Sequence, residues 1–194
     1  MKITFNSPVV LGFTLAACLV TLLSETILPG FNTNYFAALG HFDWGRVADY
    51  LRLFSHVLGH SGWPHLVGNF SIILLIGPIL EEKYGSKKLL VMILVTALAT
   101  AAINNIFWDT GLMGASGIVF MMILLGSLVN FSAGTIPITF ILIVILYLGQ
   151  ELYTAITVDD EISQYAHIMG GLCGMLFGFA LGKGGIGTKI PGMK

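Results

Sequence analysis

A serine set among small residues, Gly114-Ala115-Ser116-Gly117, opens one apolar stretch of this chain, and a histidine, His167, stands near the head of another. Glycines on both sides of a serine let the backbone turn tightly and let other groups approach the hydroxyl. A serine at its free pKa is a poor nucleophile, so chemistry at Ser116 requires a neutral imidazole within hydrogen-bond reach to take its proton. His167 has the right chemistry for that base. His65 and Asn69 head a third apolar stretch, four residues apart and so on one helical face. With the Ser116 backbone N–H they could donate to the oxyanion of a tetrahedral intermediate. Each feature alone has a plain structural reading: small residues mark close helix packing, and a lone histidine in an apolar helix can bond a carbonyl.

The elements that carry these residues are set by composition. Of 194 residues 56% are hydrophobic and 10% charged, against roughly 25% charged in an ordinary soluble domain, so the solvent is lipid. Charge-free runs cover 3–24, 53–80, 89–108, 110–150 and 162–182, each long enough for a span of roughly 20 residues. The fourth run holds two spans, broken at Ser132-Ala133-Gly134 and Pro137. The expectation is a single all-α membrane domain over 1–194 with six transmembrane helices, near 8–28, 65–80, 87–107, 116–131, 137–156 and 164–182. The first run is longer than a secretory h-region and lacks a convincing cleavage site before Glu25, so it reads as a retained span. Cys18 and Cys173 both fall inside spans, and their spacing indicates neither a disulfide nor a metal site.

Lys2, Lys83, Lys87, Lys88, Lys183, Lys189 and Lys194 all fall at one set of alternate helix ends. The opposite side carries only Arg46 and Arg52, with Asp43, Asp49, Asp109, Asp159, Asp160 and Glu161. The positive-inside bias puts both termini in the cytoplasm. The second, fourth and sixth helices then run inward, and His65 with Asn69, Ser116, and His167 all sit at their outer ends. Three separate segments thus deliver an imidazole, a hydroxyl and a donor pair to one depth, a coincidence that packing alone does not predict.

Three further features bear on that site. The long first loop, 29–64, interleaves aromatic and aliphatic residues with Asp43, Arg46, Asp49 and Arg52, which suits an interfacial structure with a helix over 46–58. It serves as a tether or as a surface that gates or holds a membrane substrate. The fourth helix, at 16 residues and roughly 24 Å, is shorter than the roughly 30 Å of hydrocarbon, so Ser116 should lie submerged with other helices around it. The sixth helix repeats glycine at 170, 174, 178 and 182, leaving a bare stripe for close approach by the head of the fourth.

With these residues in view the chain resembles the rhomboid family of intramembrane serine proteases. Arg52-x-Phe54-x-His56-x-x-x-His60-x-x-x-x-His65-x-x-x-Asn69 is similar to the family's first-loop and second-helix signature, and Glu81 with Gly85 to its second cytoplasmic turn. Gly114-Ala115-Ser116-Gly117 is similar to its nucleophile motif, and Ala166-His167-x-x-Gly170-x-x-x-Gly174 to its base-bearing helix. The resemblance implies hydrolysis of a peptide bond in or near a transmembrane segment, with Ser116 as nucleophile, His167 as base and then acid, and His65 with Asn69 as the oxyanion site. It also implies that the first loop and a mobile fifth helix control access. Three positions depart from the pattern: Leu51 replaces a tryptophan, Phe120 a tyrosine that packs beneath the histidine, and Lys83 an arginine.

No acidic residue accompanies His167 in its helix, which indicates a dyad. His56 and His60 invite a zinc reading, but the zinc-protease pattern needs a glutamate after the first histidine and Val57 is there. Hydrogen bonds that fix the first loop suit them better. The expected partners are the bilayer and transmembrane protein substrates, with no metal, no organic cofactor and no nucleic acid. The expected location is a bacterial inner membrane, with the site toward the extracytoplasmic side. A rhomboid-fold protein that binds clients without cutting them, and a small transporter, are the competing readings.

Overall fold

The computed structural model describes residues 4–129, 135–157 and 163–182. Its helices are α1 (Pro8–Thr26), α2 (Phe31–Phe36), α3 (Val47–Ser55) followed by a 3-10 turn (His56–Leu58), α4 (Trp63–Tyr84), α5 (Ser86–Phe107), α6 (Ser116–Ser127), α7 (Ile138–Ile143), α8 (Gly149–Thr157) and α9 (Ser163–Gly182). A π-helical turn, Val144–Leu148, joins α7 to α8. The described residues contain no strand, only an isolated bridge between Ala38 and Leu112. Pro8 and Pro64 sit in the first turns of α1 and α4, where a missing N–H removes no helical bond.

Among the described residues, four helices are long and apolar enough to cross a membrane: Pro8–Thr26, Trp63–Tyr84, Ser86–Phe107 and Gln164–Leu181. The other two predicted spans are shorter apolar helices, Ser116–Ser127 and Ile138–Leu148. Apolar side chains cover the outside of the bundle, among them Leu75, Ile79, Val91, Ile141 and Leu176. In water such a surface would aggregate; against acyl chains it is solvated.

Helix α6 is the core. It is apolar on every side, and Ile118, Met121, Met122, Leu124 and Leu125 are fully buried by the helices around it. It ends at Ser127, short of the expected residue 131, giving about 18 Å at 1.5 Å per residue. The Ser127 hydroxyl donates to the Leu124 carbonyl, Leu128 N–H turns back to Leu125, and the Lys83 ammonium donates to the Val129 carbonyl. The expected break at Ser132-Ala133-Gly134 lies outside the described residues.

Helix α4 is longer than its sequence suggested. It passes residue 80 because Glu81-Glu82-Lys83-Tyr84 contains no breaker, and it stops where Gly85 takes φ +83°. Glu81, expected in a solvated turn, is therefore buried. Its carboxylate accepts from the N–H groups of Val9 and Val10, both at 3.0 Å, and from the Ser86 hydroxyl at 2.7 Å. Orphan donors at the head of α1 thus find their acceptor on α4. Lys83, Lys87 and Lys88 gather at the α4–α5 junction, whereas Lys2, Lys183, Lys189, Lys194 and the acidic run 159–161 lie outside the described residues.

The first loop holds a short helix, α2, that the sequence did not announce, and the expected helix over 46–58 appears as α3 plus the 3-10 turn. Helix α3 is polar inward and apolar outward: Asp49 is buried and bonded to Arg52 at 2.5 Å, while Val47 and Leu51 are exposed. Two hydrogen bonds, Ala38 N–H to Leu112 O at 2.9 Å and Leu112 N–H to Ala38 O at 2.8 Å, pin this loop to the segment leading into Ser116.

Candidate active site

Ser116 is the first residue of α6, so its backbone N–H heads the helix with no preceding turn to bond. The backbone before it is held from the first loop. Gly114 N–H donates to the His56 carbonyl at 3.0 Å, and Ala115 N–H donates to Nε2 of His60 at 3.3 Å. Gly114 takes φ +126°, a conformation that side chains rarely adopt. A Cβ there would come within 2.9 Å of His65 Nε2 and 3.8 Å of Asn69 Nδ2. The missing methyl is what lets the His65 ring close on the backbone beside Ser116, while the Asn69 amide sits at ordinary contact distance.

Helix α9 reaches the same point. A Cβ on Gly117 would meet the Ala166 carbonyl oxygen at 3.2 Å, immediately before His167. One on Gly170 would overlap the Gly117 carbonyl, and one on Gly174 the Met121 carbonyl. The bare stripe of α9 therefore lies on the backbone of α6 itself. The His167 ring stacks on Phe120, one turn below Ser116, with centroids 4.4 Å apart and planes at 6°. His65 and His167 lie within electrostatic reach of each other.

His60 is a hub that motif reading left in the loop. Since Ala115 N–H donates to its Nε2, that nitrogen is the acceptor, and Nδ1–H donates to the Leu58 carbonyl at 3.3 Å. The Asn69 amide, 3.1 Å away, donates to the same Nε2, which leaves its second N–H for another acceptor. Burial lowers His60 from 6.5 to about 4, and any charge on His65 adds to the shift. His56, also buried, falls to about 4, with backbone hydrogen bonds at Arg52 and Leu53 acting in the opposite direction. Both rings are therefore neutral hydrogen-bonding struts at physiological pH.

A family model described as a Rhomboid domain matches residues 47–184. The chain belongs to the rhomboid family. It is 27% identical over 172 residues to "RHOMBOID-like protein 2" of Arabidopsis thaliana, covering 82% of this chain and 52% of that protein. It is 28% identical over 131 residues to "Rhomboid protease GlpG" of Haemophilus influenzae, covering 66% and 68%. It is 31% identical over 144 residues to "Rhomboid-related protein 2" of Mus musculus, covering 67% and 47%. The chain spans about half the length of the plant and mouse relatives. A rhomboid with four helices able to cross a bilayer is an integral membrane protein.

The residues that this rhomboid brings together at Gly114 are His65 and Asn69 from α4 and the head of α6; Ala166 and Gly170 bring α9 to the next residues of α6. Residues outside the motif reading support them. Buried Asn32 of α2 makes a two-way amide pair with the His60 backbone, Nδ2 to His60 O at 2.7 Å and His60 N–H to Oδ1 at 3.4 Å. Thr100 places its hydroxyl 3.4 Å from His56 Nε2. Thr100 stands as a polar side chain amid apolar neighbours in the sequence, whereas Asn32, next to Thr33 and Asn34, carries no such signal. Two cavities, of about 420 and 550 Å³, flank α3 and are lined by none of the residues around Ser116.

Proposed function

We propose that this rhomboid is an intramembrane serine endopeptidase that cleaves transmembrane segments of membrane proteins. The observation that supports the reading is the meeting of α4, α6 and α9 around Gly114–Gly117: His65 and Asn69 lie beside Gly114, Ala166 and Gly170 lie on Gly117, and the His167 ring stacks on Phe120 one turn from Ser116. It is supported by the family and by the relative named a protease.

In this mechanism the Ser116 hydroxyl attacks a substrate carbonyl carbon while His167 takes its proton. The carbonyl π pair moves to oxygen, and that oxyanion accepts from His65 Nε2–H, the Asn69 amide and the Ser116 backbone N–H. On collapse the C–N bond breaks, protonated His167 gives its proton to the departing amine, and an acyl ester remains on Ser116. Water then attacks the ester carbonyl as His167 takes a proton from it. The proton returns to Ser116 Oγ as the new carboxyl terminus leaves.

The charge distribution supports six spans, cytoplasmic termini and a site facing the opposite side of the membrane; the membrane we read is a bacterial inner membrane. Substrates are transmembrane helices that unwind locally, because a stable helix withholds its carbonyls from attack.

A fluorophosphonate probe tests the reading. The wild type should label at Ser116 and cleave a reconstituted transmembrane substrate, and Ser116→Ala and His167→Ala should abolish cleavage while keeping the fold. Undiminished cleavage by either variant refutes the dyad. A wild type that does not label but retains membrane clients is a non-proteolytic rhomboid, and one that carries solute flux is a transporter.

A further inference from the structure

His65 would enter the proposed hydrolysis through Nε2, the ring atom beside Gly114. A neutral imidazole donates from one nitrogen and accepts at the other, and the partner of one nitrogen decides the role of both. For His65 that partner is Ser61. Its backbone N–H donates to Nδ1 at 3.5 Å, and its hydroxyl lies 3.1 Å from the same atom. A backbone amide can only donate, so Nδ1 is the unprotonated nitrogen and the hydroxyl proton points at it as well. The ring proton therefore resides on Nε2, on the Gly114 side.

The local fold makes this contact available. Gly62 is the N-cap of α4, and the first helical bond runs from Leu66 N–H to Gly62 O. Ser61 lies one residue outside, so neither its amide nor its hydroxyl is used by the helix. The neighbouring ring, His60, meets His65 edge-on at 4.9 Å but has committed its Nε2 to Ala115 and Asn69. Among the described residues, Ser61 is the one hydrogen-bond partner of the His65 ring.

We infer that Ser61 is a positioning residue that holds His65 as the Nε2–H tautomer, with its donor aimed at the oxyanion position beside Gly114. The inference rests on the hydrolytic reading above and deepens it. The opposite tautomer would present a lone pair to the developing negative charge, so Ser61 acts on the transition state and hardly on substrate affinity.

The test uses the full chain, with ¹⁵N-labelled histidine, in detergent or bicelles. Long-range proton–nitrogen correlation reads which ring nitrogen of His65 carries the proton, and the His65→Ala spectrum assigns the signal. The wild type should show the proton on Nε2. Ser61→Ala removes the 3.1 Å hydroxyl bond and keeps only the longer 3.5 Å amide contact, so His65 should shift partly toward the other tautomer and kcat should fall about fivefold at unchanged KM, the effect of one lost hydrogen bond. Ser61→Thr, which keeps the hydroxyl, should restore both. A proton on Nδ1 in the wild type, or a Ser61→Ala variant with unchanged spectrum and kcat, overturns the inference. An Nε2–H spectrum in a wild type that neither labels at Ser116 nor hydrolyses overturns the catalytic role and locates the failure in the hydrolytic reading.

Discussion

The imidazole of His167 lies flat on the ring of Phe120, 4.4 Å between centroids, and Tyr147 meets the far partner of that stack edge-on at 5.9 Å and 82°. The histidine is thus oriented by dispersion and ring electrostatics from α6, and Phe120, its support, is packed in turn by Tyr147 of the π-helical turn. A hydroxyl on that ring is not needed for the stack, so Phe120→Tyr should keep full activity. Phe120→Ala removes the platform. Stacking is worth about 0.5–1.5 kcal/mol beyond buried area, and kcat should fall up to about tenfold with Ser116 still labelled by a fluorophosphonate. Equal single-turnover rates for Phe120→Ala and wild type would show that the ring does not orient the base.

Glycine substitutions separate close approach from helix propensity. At Gly170 and Gly174 a methyl would overlap backbone carbonyls of α6, which cannot swing aside. Each alanine variant should cost about 1–3 kcal/mol through overpacking, and Gly170→Ala should also push His167 away from Ser116 and slow labelling. Gly68 of α4 has nothing within 4 Å of its Cβ position. Gly68→Ala should therefore be neutral or stabilise by about 0.5–1 kcal/mol. Thermal denaturation of the three variants in one detergent checks the contrast, which fails if all three melt together.

The candidate site was legible because lipid makes polar residues expensive. His65, Asn69, Ser116 and His167 stood out against apolar runs, and lysine placement gave the expectation that they share one depth. The supports were not legible for equally physical reasons. Asn32 lies in a six-residue helix too short to show a period, and Ser61 looks like any serine before a glycine. The end of α6 fell earlier than expected because apolar sequence continues past Ser127, whereas the helix closes through the Ser127 hydroxyl on Leu124 O and the Leu128 N–H on Leu125 O. The run Glu81 to Lys83 looked like a solvated turn because its partner, the head of α1, is 71 residues away in sequence.

The neutral struts make the fold sensitive to acid. His56 and His60 sit at about 4 in the folded chain and near 6.5 when unfolded. In that window the unfolded chain binds more protons, so stability is fully present above pH 6.5 and declines as pH falls toward 4. Each ring contributes on the order of 3 kcal/mol to that loss. Melting temperature should drop steeply from pH 7 to pH 4.5 and much less from pH 9 to pH 7. A His56→Gln, His60→Gln double variant should start lower and show a flatter profile; an unchanged slope would assign the acid sensitivity to other groups.

Glu81 should be a stability residue with no part in chemistry. Its carboxylate satisfies two amide donors of α1 and the Ser86 hydroxyl, and hydrogen bonds to a charged group contribute about 1.5–3 kcal/mol. Glu81→Gln keeps one acceptor oxygen and should destabilise moderately. Glu81→Ala strands both amides and should destabilise more, with kcat of the surviving folded fraction near wild type. A selective loss of kcat at wild-type melting temperature would contradict this assignment.

The proposed hydrolysis gives Asn69 a second task beside its bond to His60, and a pair of substitutions can divide the two. One amide proton goes to His60 Nε2, which also takes Ala115 N–H, so this bond helps fix the backbone entering Ser116. The other proton is free for an oxyanion. Asn69→Ala removes both and should cost roughly 2.7–4 kcal/mol of transition-state stabilisation, a fall of about 100- to 1000-fold in kcat with little change in KM. Asn69→Asp keeps the shape, but its carboxylate repels an oxyanion and sets an acceptor against an acceptor at His60. It should be at least as inactive as Asn69→Ala at neutral pH. If Asn69→Ala loses less than about threefold in kcat, the oxyanion is carried by His65 and the Ser116 N–H, and Asn69 serves only to brace His60.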